Sequence, residues 1–190
     1  DGGAVAGRTA RRLGIDRDTR LCMSISARPS NVGTRFHNFL YEELGLNYVY
    51  KAFAVTDIVG AIAGVRALHV RGCAVSMPHK EAVIALVDEM GPSAAAIGAV
   101  NTIVNDDGQL TAHNTDYVAV AKLVVEHAVD PATPVVLRGS GGMGKAVAAA
   151  LRDAGFRSGT IVARNEAAGR PLAERCGWAW APDIDGVEPD

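Results

Sequence analysis

The chain has 190 residues, of which 48% are hydrophobic and 21% are charged, with a net charge of −2 and a mean hydropathy of +0.11. This length allows one large domain or two small ones, and the composition is typical of globular proteins. The near-neutral charge gives no reason to expect a nucleic-acid partner, and no apolar run approaches the roughly 20 residues that span a membrane.

The first two-thirds of the chain predict strands that alternate with helices. Residues 1–19, rich in Gly, Ala and Arg, are expected to form a loosely ordered extension. Strands are then expected over 20–26, 47–55 and 70–76, and helices over 34–44, from an N-cap at Thr56 to Leu68, and over 80–89. The turn signal Asn105-Asp-Asp-Gly108, between strands at 100–104 and 109–112, predicts a hairpin and therefore a mixed sheet.

The last third predicts a second α/β unit. A helix over 116–129 is followed by a strand over 134–138, a glycine-rich turn, a helix to about Ala154, a strand over 160–163 and a short helix with Pro171 in its first turn. The alternation indicates an α/β fold with two domains. We expect a mixed-sheet substrate-binding and catalytic domain over 20–118, followed by a Rossmann-type dinucleotide-binding domain over 119–190.

Cysteine and histidine spacing gives no sign of a metal site. Cys22, Cys73 and Cys176 lie far apart and match no C-x-x-C pattern, and the five histidines form no H-x-x-x-H pair. We interpret the cysteines as reduced thiols, which favours a cytoplasmic location.

A glycine-rich turn carries the signal for a dinucleotide. Its six residues fit G-x-G-x-x-G after an apolar strand and before an Ala-rich helix: Gly139, Ser140, Gly141, Gly142, Met143 and Gly144. The first glycine permits the tight turn, the second allows the backbone to approach a pyrophosphate, and the last allows close contact between helix and strand. The helix N-terminus adds a partial positive charge for that anion.

The residue that follows the predicted strand 160–163 indicates which dinucleotide is bound. An enzyme that prefers NAD usually places Asp or Glu there to hold the ribose 2′-hydroxyl, but this chain has Arg164, followed by Asn165. A guanidinium group suits the 2′-phosphate of NADP. The pattern therefore favours NADP, although Arg164 could instead be a solvated surface arginine.

Short polar segments follow several strands of the first domain, where ligands of open α/β sheets bind. They provide hydroxyls and an amide that suit a small polyhydroxylated acid: Ser24, Ser26, Ser76, Asn101 and Thr115. Lys80 and Asp116 could act as a proton-transfer pair, with the ammonium protonating an alkoxide and the carboxylate orienting the lysine. Spacing alone leaves open whether they meet, because a lysine at a helix start is more often a solvated surface group.

These segments together resemble the shikimate dehydrogenase family, and more closely its shikimate dehydrogenase-like branch. The matches run from about residue 20 to the end of the chain: Ser24 with Ser26, His37-Asn38, 75–80, 98–102, 114–116, the glycine-rich turn and 163–165. The segment from Met23 to Pro29 differs from the motif that family members usually have at this position. Together with residues 33–38, it is similar to the dehydrogenase-like branch.

The resemblance implies NADP-linked interconversion of 3-dehydroshikimate and shikimate, in the biosynthesis of aromatic amino acids. Lys80 and Asp116 would be the catalytic dyad, the serines, Asn101 and Thr115 would line the substrate site, and the glycine-rich turn with Arg164 and Asn165 would hold NADP. The alternatives are a quinate/shikimate dehydrogenase and a low-turnover binding or regulatory paralogue, in each case a monomer or homodimer. Family members continue beyond the last matching segment, so we expect the cofactor domain to be incomplete here.

Overall fold

The computed structural model describes residues 14–187. The predicted extension at 1–19 lies mostly outside this range. Within it, no helix is long and apolar enough to cross a membrane. The first part of the fold runs β1 (Arg20–Ser26), α1 (Asn31–Glu43), β2 (Tyr48–Ala54), α2 (Ile58–Ala67), β3 (Gly72–Val75), a 3₁₀ turn (Ala82–Leu86), β4 (Glu89–Met90), α3 (Pro92–Ala95), β5 (Thr102–Asp106) and β6 (Gln109–His113).

Strands β1 to β6 form one sheet in the order β2-β1-β3-β5-β6-β4. β1 runs parallel to β2 and β3, whereas β5 is antiparallel to both β3 and β6. This confirms the predicted mixed sheet. Its core is formed by alternating strand residues such as Ile25, Val75 and Ile103, packed against Ile62 and Val65 of α2. The parallel arrangement brings the carboxyl ends of β1 and β3 to the same edge.

The second part of the fold runs α4 (Thr115–Glu126), β7 (Val135–Arg138), α5 (Gly142–Asp153), β8 (Gly159–Val162), α6 (Glu166–Cys176) and β9 (Ala179–Ala181). β7, β8 and β9 form a parallel sheet in that order. Phe156, Ile161, Leu172 and Trp178 form its core between strands and helices. A parallel sheet with connecting helices is the architecture expected of a Rossmann-type unit.

A seam of small apolar residues joins the two parts. Ile97 and Ala99, which precede β5, are buried against Ala146 and Ala149 of α5. Tyr117 of α4 packs against the same seam, and its hydroxyl donates a hydrogen bond to Asp153 Oδ2 at 2.9 Å. Helix α5, whose first residues belong to the glycine-rich turn, is therefore held against the first part of the fold.

Two predictions about the first part were wrong. The helix α2 is capped by Asp57, not Thr56, because the Asp57 carboxylate accepts a hydrogen bond from Gly60 N at 2.9 Å. The helix expected over 80–89 is a 3₁₀ turn followed by a strand. Asp88 N donates to Leu110 O, and Glu89–Met90 pairs with β6. Pairing with a free sheet edge satisfies backbone groups that an isolated helical turn would leave open.

The position of Pro171 was also predicted wrongly. It lies inside α6, not in the first turn, and so removes one hydrogen bond from the helix. Leu172, Ala173 and Cys176, which follow it, are buried in the core of the second sheet. Burial of this face holds α6 together despite the proline, which is a tertiary effect that local propensity does not reveal.

Candidate active site

Lys80 and Asp116 meet at the carboxyl edge of the first sheet. Lys80 follows β3 through a loop with a cis peptide between Met77 and Pro78, and Asp116 lies in the first turn of α4. Lys80 Nζ is 2.9 Å from Asp116 Oδ2, and the two side chains are only 18% and 20% exposed. The structure thus brings together an ammonium donor and the carboxylate that orients it, although they are distant in sequence.

The backbone at each end of this pair is fixed by hydrogen bonds. Val100 N donates to Lys80 O at 2.8 Å. Asn114 is fully buried and caps α4: its Oδ1 accepts from Asp116 N and Tyr117 N, and its Nδ2 donates to Ala99 O at 2.9 Å. Sequence reasoning assigned no role to Asn114. The signal that could have found it is its residue type, since asparagine immediately before a helix is a preferred N-cap.

Asn101 and Thr115 lie beside the pair and bind each other. Asn101 Nδ2 donates to Thr115 Oγ1, and Thr115 N donates to Asn101 Oδ1, both at 2.9 Å. Thr102 Oγ1 also donates to Asn101 Oδ1, at 3.0 Å. The amide of Asn101 is therefore oriented before any ligand binds, which is a property of a pre-formed polar site.

The three serines lie at the ends of neighbouring parallel strands. Ser24 and Ser26 share one face of β1, and Ser76 follows β3, where its N–H donates to Ile25 O at 2.9 Å. Ser24 is half-buried and hydrogen-bonded to the hydroxyl of Tyr50. Burial raises the pKa of Tyr50, and the bond to Ser24 acts in the opposite direction. The serines and Lys80 thus belong to the same edge of the sheet.

His37 and Asn38 anchor α1 to β2 and so shape the wall beside the serines. The His37 ring stacks on Tyr50, with ring centroids 4.2 Å apart. Asn38 exchanges two hydrogen bonds with the backbone of Tyr50, at 2.8 and 2.9 Å. These contacts give both residues a structural role in holding the edge strand.

The two buried cysteines, Cys73 and Cys176, are not nucleophile candidates. Burial is the main cause that raises the pKa of the Cys73 thiol to about 12, and burial also raises the pKa of Cys176. A buried thiol with a raised pKa remains protonated at neutral pH and is a poor nucleophile.

The glycine-rich turn has the backbone geometry that a phosphate cradle needs. Gly139 has a φ of +108°, which favours glycine, and a Cβ on Gly144 would overlap the carbonyl oxygen of Gly139. A Cβ on Gly141 would meet nothing within 4 Å, so its backbone is open to a ligand. Helix α5 then begins at Gly142 and directs its N-terminal N–H groups towards this opening.

A cavity of about 470 Å³ lies at the carboxyl ends of β7, β8 and β9. Gly139 and Ser140 of the turn, Arg164 and Asn165 after β8, and Pro182 and Asp183 after β9 line it. Asn165 also caps α6 by accepting from Ala168 N at 3.3 Å, and Arg164 is exposed at the cavity wall. The glycine turn, a helix N-terminus and an arginine around one cavity fit a dinucleotide.

The two candidate sites adjoin each other. A Cβ placed on Gly142 would lie 3.1 Å from Lys80 Cδ. The candidate cofactor turn and the candidate proton donor are therefore in contact range in the folded chain.

Comparison with known proteins identifies the family. Residues 30–103 match the shikimate dehydrogenase substrate binding domain. A shikimate dehydrogenase-like protein of Haemophilus influenzae is 53% identical over 176 residues, which is 93% of this chain. A shikimate dehydrogenase (NADP(+)) of Streptococcus pyogenes is 41% identical over 138 residues, or 69% of this chain.

The fold agrees with the sequence comparison. The solved structure of shikimate 5-dehydrogenase from Listeria monocytogenes, in complex with shikimate and NAD, is 31% identical and matches 91% of this chain with a TM-score of 0.80. The chain spans 65% of the Haemophilus influenzae relative and 47% of the Streptococcus pyogenes one. By sequence and by fold, the chain belongs to the shikimate dehydrogenase family.

Proposed function

We propose that this chain carries the active centre of an NADP-dependent oxidoreductase that interconverts 3-dehydroshikimate and shikimate, or a closely related hydroxy acid. The observation that carries the proposal is the 2.9 Å contact between Lys80 Nζ and Asp116 Oδ2, next to a glycine-rich turn. A half-buried ammonium held by a carboxylate is placed to give a proton to an oxygen and to take it back.

The nicotinamide cofactor supplies or accepts the hydride when it is bound. In the reduction of a ketone, Lys80 donates a proton to the oxygen on which negative charge develops, and Asp116 holds the ammonium in place. The hydroxyls of Ser24, Ser26 and Ser76 bind the substrate carboxylate or its hydroxyls, and Asn101 and Thr115 bind a ring hydroxyl. In the oxidation, Lys80 takes the proton from the substrate hydroxyl.

The proposed division of labour follows the two sheets. Residues 20–118 bind the substrate and residues 119–190 bind the cofactor, with α4 shared between them. Backbone N–H groups from Gly139 to Gly144 hold the pyrophosphate, and Arg164 holds the 2′-phosphate of NADP with Asn165 beside it. The cysteines in residues 14–187 form no disulfide, which supports a location in the reducing cytoplasm.

The experiment measures NADP⁺ reduction with shikimate and with quinate as substrates. Proton transfer by a positioned side chain contributes a factor of about 10² to 10⁴ to the rate. We therefore expect Lys80→Met and Asp116→Asn each to lower kcat by a factor in that range. Lys122→Met, at an exposed position on α4, is the matched control and should behave like the wild type.

Thermal unfolding separates the rival functions. Stabilisation by shikimate and NADP without turnover would support the binding or regulatory paralogue instead. Faster turnover with quinate than with shikimate would support a quinate/shikimate dehydrogenase. Turnover that is unchanged in Lys80→Met would remove Lys80 from the chemistry, and the absence of stabilisation by either ligand would reject the proposal.

A further inference from the structure

The glycine-rich turn contains one more glycine than its motif explains. The tight turn, the pyrophosphate contact and the helix–strand contact account for Gly139, Gly141 and Gly144. Gly142 lies between them at the first position of α5, and its φ is not in the positive range that favours glycine. Its backbone conformation would therefore accept a side chain, and any requirement for glycine must come from its surroundings.

Those surroundings are the side chain of Lys80. A Cβ on Gly142 would lie 3.1 Å from Lys80 Cδ, which is closer than most real Cβ contacts. The other end of the same lysine is bound to Asp116 at 2.9 Å, so the lysine stem has little freedom to move aside. Gly142 thus provides the surface along which the lysine stem reaches its carboxylate.

A second contact links the same two segments. Lys145, three residues after Gly142, forms an ion pair with Glu81, the residue that follows Lys80, and Nζ is 2.6 Å from Oε1. Residues three apart on a helix share a face, so Gly142 and Lys145 present one side of α5 to the 80–81 segment. The Lys145 side chain is 16% exposed, and that of Glu81 is 61% exposed.

The charge arrangement explains why Lys145 needs this partner. A cation near the N-terminus of a helix is unfavourable, because the helix dipole is positive there. The Glu81 carboxylate offsets both Lys145 and the dipole. The 80–81 segment itself lies between β3 and the 3₁₀ turn, outside any regular element, so its side chains depend on such tertiary contacts.

We infer that Gly142, Lys145 and Glu81 are positioning residues, which hold the Lys80 ammonium on Asp116 from the cofactor side of the molecule. The inference rests on the proposed function, because it gives the proton donor a fixed place relative to the cofactor turn. It assigns to α5 a task that the dinucleotide motif does not include: setting the position of the general acid.

The test follows the rate at which an amine-acylating reagent modifies Lys80 in the full 190-residue chain. Mass spectrometry gives the rate at Lys80 relative to exposed Lys122 in the same sample. Loss of a partly exposed ion pair changes an equilibrium by about threefold. Glu81→Gln and Lys145→Met should therefore raise the ratio of the Lys80 rate to the Lys122 rate by about that factor. Gly142→Ala should raise it also, because the added methyl displaces the lysine stem.

Matched controls separate positioning from general loosening. Glu166→Gln breaks an ion pair of the same 2.6 Å length within α6, and Gly64→Ala adds a methyl where nothing lies within 4 Å. Both should leave the ratio at its wild-type value. Lys145→Arg, unlike Lys145→Met, should keep the ratio near its wild-type value, because a guanidinium group can also bind the Glu81 carboxylate.

The outcomes distinguish this inference from the proposed function. Wild-type ratios in both Glu81→Gln and Gly142→Ala would overturn the positioning role even if the enzyme is active. Glu81 is exposed, so its variant should fold even if Gly142→Ala does not. In the turnover assay, Glu81→Gln should lower kcat about threefold and leave KM for NADP unchanged. Turnover that does not depend on Lys80 would overturn the proposed function, whatever the labelling ratio.

Discussion

At the scale of single residues, Arg164 carries the proposed choice between NADP and NAD. It lies at the wall of the cavity after β8, where a carboxylate would favour NAD. Asp116, Lys80 and the glycine turn are compatible with either dinucleotide. The proposed preference for NADP therefore depends mainly on the Arg164 guanidinium group, because Arg138, the other arginine of the cavity wall, precedes the glycine-rich turn.

We predict that Arg164→Ala weakens NADP binding far more than NAD binding. A charge-assisted bond of about 1.5–3 kcal/mol corresponds to roughly a 10- to 150-fold rise in Kd for NADP. Isothermal titration calorimetry with both cofactors measures the two effects. Arg157→Ala, at the opposite end of β8, is the control and should change neither Kd. An equal loss for both cofactors would reject the 2′-phosphate role.

Asp88 gives a prediction about pH. The hydrogen bond from Arg66 is the largest cause that lowers the pKa of Asp88, and the bond from Leu110 N acts in the same direction. The unfolded chain therefore binds this proton more tightly than the folded one. The stabilisation is present above the ordinary aspartate pKa of about 3.9 and is lost as the pH falls through the lower folded value.

Asp88→Asn should accordingly lower the free energy of unfolding at pH 7. The difference from the wild type should shrink as the pH falls from 5 towards 2, because the wild-type carboxylate is then protonated as well. Urea unfolding at a series of pH values measures this. A difference that stays constant with pH would show that the Asp88 charge contributes nothing.

At the scale of helices and strands, local pattern predicted most elements and failed where tertiary contacts compete. β1, the β5–β6 hairpin and β8 were found because their residues alternate between apolar and polar or are bounded by turn residues. The helix predicted over 80–89 was wrong because the last residues of that segment pair with β6. The predicted position of Pro171 was wrong because burial of α6 outweighs one missing hydrogen bond.

The N-cap of α4 can be tested at this scale. Asn114→Ala removes the cap and also leaves the buried Ala99 carbonyl without its donor, so we expect a loss of about 2–3 kcal/mol in the free energy of unfolding. Asn165→Ala, at the exposed cap of α6, should cost about 1 kcal/mol.

Chemical denaturation of the two variants provides the measurement. The same Asn114 variant should lose activity beyond its loss of stability, because the cap holds the backbone of Asp116. Equal destabilisation of the two variants would show that burial of Asn114 adds nothing to an ordinary cap.

At the scale of the whole molecule, the seam between the two parts keeps the glycine-rich turn next to Lys80. Ile97, Ala99, Ala146 and Ala149 are all buried there, and small side chains allow the close approach of α5. We predict that Ala149→Leu overfills this seam and lowers the free energy of unfolding by about 1–3 kcal/mol.

The same variant should raise the modification rate of Lys80, because displacing α5 withdraws Gly142 and Lys145 from the 80–81 segment. Ala167→Leu, at an exposed position of α6, is the control and should change neither quantity. Normal stability and normal Lys80 protection in Ala149→Leu would show that the seam does not set the position of α5.

The sequence by itself was enough to predict the glycine-rich turn, the polar residues at strand ends, the mixed sheet and the α/β class. These features depend on residues close together in the chain, whose spacing reflects backbone geometry directly. The strand order β2-β1-β3-β5-β6-β4, the meeting of Lys80 with Asp116, the buried cap at Asn114 and the contact between Gly142 and Lys80 were decided only in the folded molecule. Such contacts join distant segments, so they depend on which strand edges pair and which apolar faces are buried together.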